Sequence, residues 1–377
     1  MQRVAASWLI YTLSGSGVWL GIDSLAAGLP TILLLPIGGI AADRYNRQTI
    51  LIVANVAQAF LALTVAWLWW YGWLSVVALI VCSLLAGIIT SISAPANQAI
   101  VPAAAGEDHV KNAIALNSLQ YNVARVLGPA IGGLAIASMG AGGCFALNAF
   151  SFLVMAGTLL SIRNIPQSKR NQPLGYRDLS EVKQFVWTTP AMKRSLFLIV
   201  LLAFTSAPII TLLPIIADQI HKSNASGYSA LLSCFGVGGA LAGLAVAAFP
   251  ASKKTQAWSS IALPLLGATL VLLPLVRYQV MSFLLVSLAG ACMIGSMIQL
   301  GTTLLKDTPD DLRGRVSGLQ QLGFRVAQPL GGFVAAMLIH WFGVSLVFAS
   351  FGILLALTSS TILRTHKLPA MESTPDF

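Results

Sequence analysis

Arg125 and Arg325 stand in two stretches that are near copies of each other, two hundred residues apart: L-Q-Y-N-V-A-R-V-L-G-P-A-I-G-G from Leu119 and L-Q-Q-L-G-F-R-V-A-Q-P-L-G-G from Leu319. Gln120, Arg125 and Pro129 match Gln320, Arg325 and Pro329, with apolar runs on either side. An arginine held in an apolar run is costly and usually faces a cavity or a partner. Two chemistries fit the pair. Together with Gln120, Gln320 and Asn122 the arginines line a path and attract an anionic or carboxylate-bearing substrate, or they brace neighbouring helices by donating to backbone carbonyls. Their symmetry does not choose between these, because duplication alone leaves the same pairing.

Acids are scarce in the apolar runs, and Asp23 is the exception. It lies about 30 Å along a helix from Asp43, which puts it toward the opposite surface. There it is either a proton carrier or a solvated carboxylate at a helix end, and Asp218 reads the same way. Enzyme motifs are missing: the chain has no H-E-x-x-H, no G-x-S-x-G and no glycine-lysine phosphate loop. Cys82, Cys144, Cys234 and Cys292 are widely spaced and read as buried free thiols, and the four histidines fall at polar edges. No metal site or cofactor is implied.

The elements that position these residues follow from composition. With 56% hydrophobic residues, 9% charged residues and a mean hydropathy of +0.81, the chain has too little polar surface to cover a soluble globule. Lipid cannot satisfy backbone N–H and C=O groups, so each apolar stretch must be a helix. Eleven full spans are expected, with breaks near 139–142 and 340–342 inside the two longest apolar regions, and a fragment over 1–13 precedes them. That fragment would rise only about 20 Å against roughly 30 Å of hydrocarbon, and it reads as a truncated first helix in preference to a signal peptide.

Lysines and arginines sort to alternate connections: Arg44 and Arg47, Lys111, the run 163–194, Lys253 and Lys254, Lys306 with Arg313 and Arg315, and Arg364 with Lys367. The other connections hold only Lys222 and Arg277. By the positive-inside rule the first set is cytoplasmic, and it accounts for most of the net charge of +10 without nucleic-acid binding. The expected organisation is a helical bundle over 1–162, a cytoplasmic linker over 163–194, a second bundle over 195–363 and a cytoplasmic tail over 364–377. Within the linker, Leu179, Val182, Phe185 and Val186 share one helical face, consistent with a short helix on the inner membrane surface or with a disordered basic loop.

Three motifs carry a resemblance. G-G-I-A-A-D-R-Y-N-R from Gly38 resembles the loop between the second and third helices of the major facilitator superfamily, matching at Gly39, Asp43, Arg44 and Arg47. Asn46 stands where that family prefers glycine, a substitution tolerable because asparagine enters left-handed backbone more readily than most residues. Gln48 replaces a basic residue. The stretch from Ala124 resembles the fifth-helix signature of the superfamily's antiporters at Gly128, Pro129, Gly132 and Gly133, with Pro329, Gly331 and Gly332 as counterparts in the second copy. Such residues give close helix packing and a hinge, or packing alone. P-D-D-L-R-G-R-V-S-G from Pro309, with P-A-N-Q-A-I-V-P and N-A-I-A-L-N-S, is similar to the enterobactin-exporter and macrolide-efflux branch.

The resemblance implies an all-α integral membrane protein of the major-facilitator fold, two pseudo-symmetric six-helix bundles rocking about a central cavity in the inner membrane. It implies a secondary active transporter exporting a small organic molecule, with a proton as coupling ion, and a chain working as a monomer. Asp43 is then expected to accept hydrogen bonds from the amino end of the helix starting near Val316, with Arg44, Arg47, Arg313 and Arg315 completing a cytoplasmic gate. Metabolite uptake, lipid flipping, or a non-transporting scaffold or sensor are the alternative readings.

Overall fold

The structure is a computed structural model that describes residues 1–106, 109–162, 188–248, 258–306, 308–309 and 312–364, apart from a few side chains that include Asn122 and Arg125. Most of the expected linker and the tail beyond 364 lie outside the described residues. The helices are α1 Gln2–Ser14, α2 Gly17–Arg44, α3 Arg47–Trp70, α4 Val76–Ala105, α5 Val110–Ser161, α6 Pro190–Thr211, α7 Ala225–Ala248, α8 Trp258–Leu272, α9 Gln279–Lys306 and α10 Arg313–Arg364. No strand occurs among the described residues.

Helices α5 and α10 each run 52 residues. At 1.5 Å per residue that is about 78 Å, more than twice the hydrocarbon thickness, so neither can be one crossing. Each breaks at a glycine with positive φ, Gly140 at φ 72° and Gly343 at φ 76°. Any residue with a Cβ is strained in that conformation, which is why a glycine stands at both breaks. Nine helices among the described residues are long and apolar enough to cross a membrane, and two of them are these double ones, which yields the eleven spans expected.

The turns are capped by short polar side chains. Ser16 and Ser75 accept from the backbone N–H groups of Val18 and Ala78. Asn46 accepts from Gln48 and Thr49 at 2.9 and 3.3 Å, in extended backbone at φ −62°. The left-handed conformation expected there is therefore not used; asparagine serves at this turn as a helix cap. Gln48 donates to the carbonyls of Leu159 and Ile162 and so ties the start of α3 to the end of α5.

Helices α1–α5 form one half and α6–α10 the other. Inside the halves α2 packs on α4, α3 on α5, α7 on α9, and α6 and α8 on α10; between them α2 meets α10 and α5 meets α7. The buried cores show how the halves relate. One large cluster draws on both, including Leu9, Leu20 and Phe145 from the first and Leu212, Leu270 and Phe348 from the second. Its members from the first half gather around the ends marked by Gly15 and Trp70, while in the second half it runs on along the helices to Leu198, Leu263 and Leu300. At the opposite ends the cores are separate: Ala42, Leu51, Ala96, Ile100 and Leu159 belong to the first half, while Met192, Leu304 and Val316 belong to the second. The molecule is joined at one end and parted at the other.

Candidate functional site

Helix α2 shows where the closure stops. A Cβ built on Gly17 would lie 2.6 Å from Ile215, one on Gly21 would overlap the Ala336 methyl, and one on Gly28 would overlap the Pro329 ring. These positions span 11 residues, about 16 Å of helix, over which the halves touch backbone to side chain. Farther along, Gly38 packs instead on the carbonyls of Ser91 and Ile92 in α4, within its own half, and Gly39 faces open space. Gly133 of α5 likewise abuts Ser229 of α7 at the joined end. Toward the parted end a long, exposed amide contact, Gln98 to Gln321 at 3.5 Å, reaches across.

Within the stretch of closure, between Gly21 and Gly28, lies a polar cluster contributed by both halves. Asp23, six residues into α2, has its Oδ1 shielded from solvent with no hydrogen-bond partner, and its polar neighbours are Ser83 of α4 and Arg3 of α1. Arg3 is exposed although Val4, Ala5 and Ala6 after it are buried. Its electrostatic partners are Asp23 and Tyr228 of α7. Tyr228 is buried beside Ser7, and its ring stacks on Trp8 with centroids 6.0 Å apart. One acid, one guanidinium and one phenol thus come within electrostatic reach of one another near the joined end. A separate groove of about 560 Å³, bordered by Tyr45, Asn46, Thr49, Val53, Ile89 and Ile92, lies between α3 and α4 away from these charges.

Above the cluster Tyr11 donates to the Asp218 carboxylate at 2.8 Å, a contact between α1 and a π-helical turn, Ile216–Ile220, that follows α6.

The residues singled out from sequence fall into three groups. Gln320 is buried with its amide over Gly301, while its counterpart Gln120 is exposed; Arg325 is half-buried and makes no hydrogen bond among the described residues. Asn122 and Arg125 are on α5, but their side chains lie outside the described residues. Gly132 packs on Val4 of α1, Gly128 is nearly clear, Gly331 sits against the Phe204 carbonyl, Gly332 lies between Thr211 and Ser24, and Pro329 fills the space left by Gly28. Asp43 and Arg44 are exposed, and Asp43 makes no ion pair or hydrogen bond among the described residues. Arg47 and Arg313 each close their own turn by donating from Nε to the carbonyl five residues back, Ala42 and Thr308, both at 3.2 Å.

Two readings are corrected. Asp23 is not a solvated helix-end carboxylate: its helix turns it inward against α1 and α4. His221 is not solvated at its nitrogens either, since both are buried without a hydrogen-bond partner. Sequence reasoning also passed over Arg3, Trp8, Tyr11 and Tyr228 as site residues. Arg3 alone carried a readable signal, a cation in the first turn of an apolar helix.

Nine membrane-length helices among the described residues, two of them double, arranged in two halves define a multi-pass membrane protein. The chain belongs to the family of transmembrane secretion effectors, a branch of the major facilitator superfamily, which it matches over residues 1–376. It is 25% identical over 388 residues to the enterobactin exporter EntS of Escherichia coli O1:K1 / APEC, covering 99% of this chain and 91% of that protein. It is 23% identical over 359 residues to the multidrug efflux pump Tap of Mycolicibacterium fortuitum, covering 92% and 86%. In fold it is similar to the crystal structure of the nucleoside transporter NupG, with a TM-score of 0.77, 14% identity, and 98% and 95% of the two chains covered.

Proposed function

We propose that this chain is a proton-coupled exporter of a small organic molecule, a siderophore or a macrolide-like drug, working by alternating access in the inner membrane. The observation that carries the reading is the division of the core, one shared cluster at the closed end against separate clusters at the parted end. Two halves that share only one end can rock about the space between them. The positive-inside rule assigns the parted end, with Arg44, Arg47, Lys306, Arg313 and Arg315, to the cytoplasm, which makes this the state that loads from inside. The segment 163–194 and the tail are cytoplasmic on the same basis.

Asp23 is the proton carrier in this reading. Its carboxylate stands near the joined end, within electrostatic reach of Arg3 in its own half and Tyr228 in the other, so its charge is felt by both. Arg325, free of a helix partner among the described residues, serves substrate better than it serves as a brace. Asp43 acts when the cytoplasmic side closes and is idle here. Relatives that export enterobactin or drugs support the substrate classes.

The test is efflux from a host stripped of its own pumps, comparing wild type with Asp23→Asn at equal membrane abundance. Wild type is expected to lower accumulation of a macrolide or raise siderophore secretion, with the effect lost on collapsing the proton gradient. Equal accumulation in cells with and without the protein, for both substrate classes, would sink the proposal.

A further inference from the structure

Helix α1 meets the second half at a place that no relative's name and no expectation from sequence assigns. Tyr11 is buried, yet its hydroxyl reaches the exposed carboxylate of Asp218 at 2.8 Å. The residues are 207 positions apart and belong to different halves. One turn of α1 deeper, Trp8 stacks on Tyr228, and beside it Gly17 receives Ile215.

The segment holding Asp218 is not a regular helix. Helix α6 ends at Thr211, a three-residue helix follows over Leu213–Ile215, and then comes the π-helical turn Ile216–Ile220. Pro208 removes a rung inside α6 and Pro214 stands in the first turn of the short helix, so the regular ladder is interrupted on both sides of Leu212. The π turn itself closes through His221 N–H to the Ile216 carbonyl at 3.3 Å. π turns of this kind cluster at functional places, and here the turn carries Asp218 at its middle.

We propose that Tyr11 and Asp218 form the latch that holds the closed end shut, with the exposed part of the π turn, Asp218 and Gln219, parting from α1 when it releases. This rests on the alternating-access reading above. A hydroxyl donating to a carboxylate is directional and, when one side is open to solvent, readily exchanged for water. The large apolar cluster beneath it has neither property. A contact made and broken in every cycle is better served by such a bond than by deep burial. Trp8 and Tyr228 form the lower tier, separating the latch from the charged cluster that includes Arg3 and Asp23.

The experiment measures spin-label distances in the full chain, in lipid nanodiscs, with labels at Trp73→Cys and Tyr278→Cys. Both positions lie on closed-end loops of opposite halves and are 66% and 83% exposed. The four native cysteines are replaced by alanine or serine, and efflux confirms that the background still works. Tyr11→Phe keeps the ring and removes one oxygen; Asp218→Asn keeps the volume and removes the charge. Each is expected to raise the ratio of long to short distances about ten-fold, the scale of a lost charge-assisted bond. The double variant is expected to go no further than either single one, because both remove the same interaction.

A distribution that stays put in both single variants overturns the latch, as does a double variant with the product of the two effects. The two readings fail separately. A wild type that transports while no variant opens keeps the export reading and removes the latch; a wild type that does not transport, with Tyr11→Phe opening as described, does the reverse.

Discussion

The closed end and the parted end of this bundle are built from similar helices but by different means. At the closed end Gly17, Gly21, Gly28 and Gly133 let the two halves approach to backbone distance, and a single apolar cluster runs through both. At the parted end the clusters stop at each half's own boundary, and exposed Asp43, Arg44 and Tyr45 take the place of apolar contact. Small residues make contact possible wherever they face the other half; charges at helix ends make it optional. A carrier needs both, since an end that could never part would trap its cargo.

The largest expected effect comes from filling the closed end. A Cβ at position 21 would overlap the Ala336 methyl and come within 3.1 Å of the Phe333 Cα, and backbone cannot step aside as a flexible side chain can. Gly21→Val is therefore expected to cost the closed state about 1–3 kcal/mol, the range for overpacking. That corresponds to a roughly five- to 150-fold shift toward separation, readable in the same label distances. Gly39→Val, facing open space at the other end, is the control and is expected to leave the distances alone. If both substitutions behave alike, the contrast between the ends is wrong.

Next in size is Asp23→Asn. Removing the one acid of the charged cluster is expected to lower gradient-driven efflux at least ten-fold while substrate exchange in the absence of a gradient persists, because the gates are untouched. Proteoliposomes with and without an imposed proton gradient separate the two modes. Loss of exchange as well would make Asp23 a structural or substrate-binding residue.

Much of the scaffold is legible in the sequence. Lipid forces every apolar run into a helix, so the eleven spans can be read from length alone, and the breaks expected near 139–142 and 340–342 fall at Gly140 and Gly343. The repeat around Arg125 and Arg325 gives the two halves. Facing is harder. Periodicity marks the buried side of a helix when one side is polar, and α2 is apolar nearly all round, so nothing in its sequence says that Asp23 turns inward. The Tyr11–Asp218 bond is illegible for another reason: each residue alone is an ordinary polar group near a helix end, and only the packing of α1 against the turn after α6 makes them a pair. The repeat also misleads in one respect. Gln120 and Gln320 match in sequence, yet one is exposed and the other is packed over Gly301, because each half meets different neighbours at that depth.

A middle-sized effect tests the breaks themselves. Gly343→Ala places a Cβ on backbone at φ 76°, which is expected to cost about 1–2 kcal/mol. Nothing lies within 4 Å of that Cβ, so the cost is conformational and not steric. Thermal unfolding in detergent is expected to fall by several degrees with the distance distribution unchanged, since the break belongs to neither gate. Asp43→Asn is the mirror case. With no bonded partner among the described residues in the present state, it is expected to leave stability within about 0.5 kcal/mol, while reducing the population of the cytoplasm-closed state by the roughly 0.3–1 kcal/mol typical of a charge at a helix end. Labels on the parted end check it, and an unchanged distribution there removes Asp43 from the gate.

The smallest effect concerns His221, in the turn that follows Ile220 at the closed end. Burial holds its imidazole below the ordinary histidine range, with the Arg277 carbonyl opposing in part, and both ring nitrogens lack a hydrogen-bond partner. The closed end therefore favours the neutral ring, whereas a state that exposes the ring restores a pKa near about 6.5. The sign follows: the contribution is fully present above that value and is lost as pH falls below it toward the depressed value of the closed state. Asp218, Tyr11, Lys222 and Arg277 are the other charged or titratable groups on the elements around it. Between about pH 7.5 and 5.5, a window that brackets the exposed-state value, the long-distance population of the Trp73 and Tyr278 labels is expected to rise a few-fold in wild type. His221→Gln, which cannot take up a proton, is expected to flatten that rise without changing the population at the alkaline end of the window. A profile identical to wild type would leave His221 as a buried ring with no part in opening.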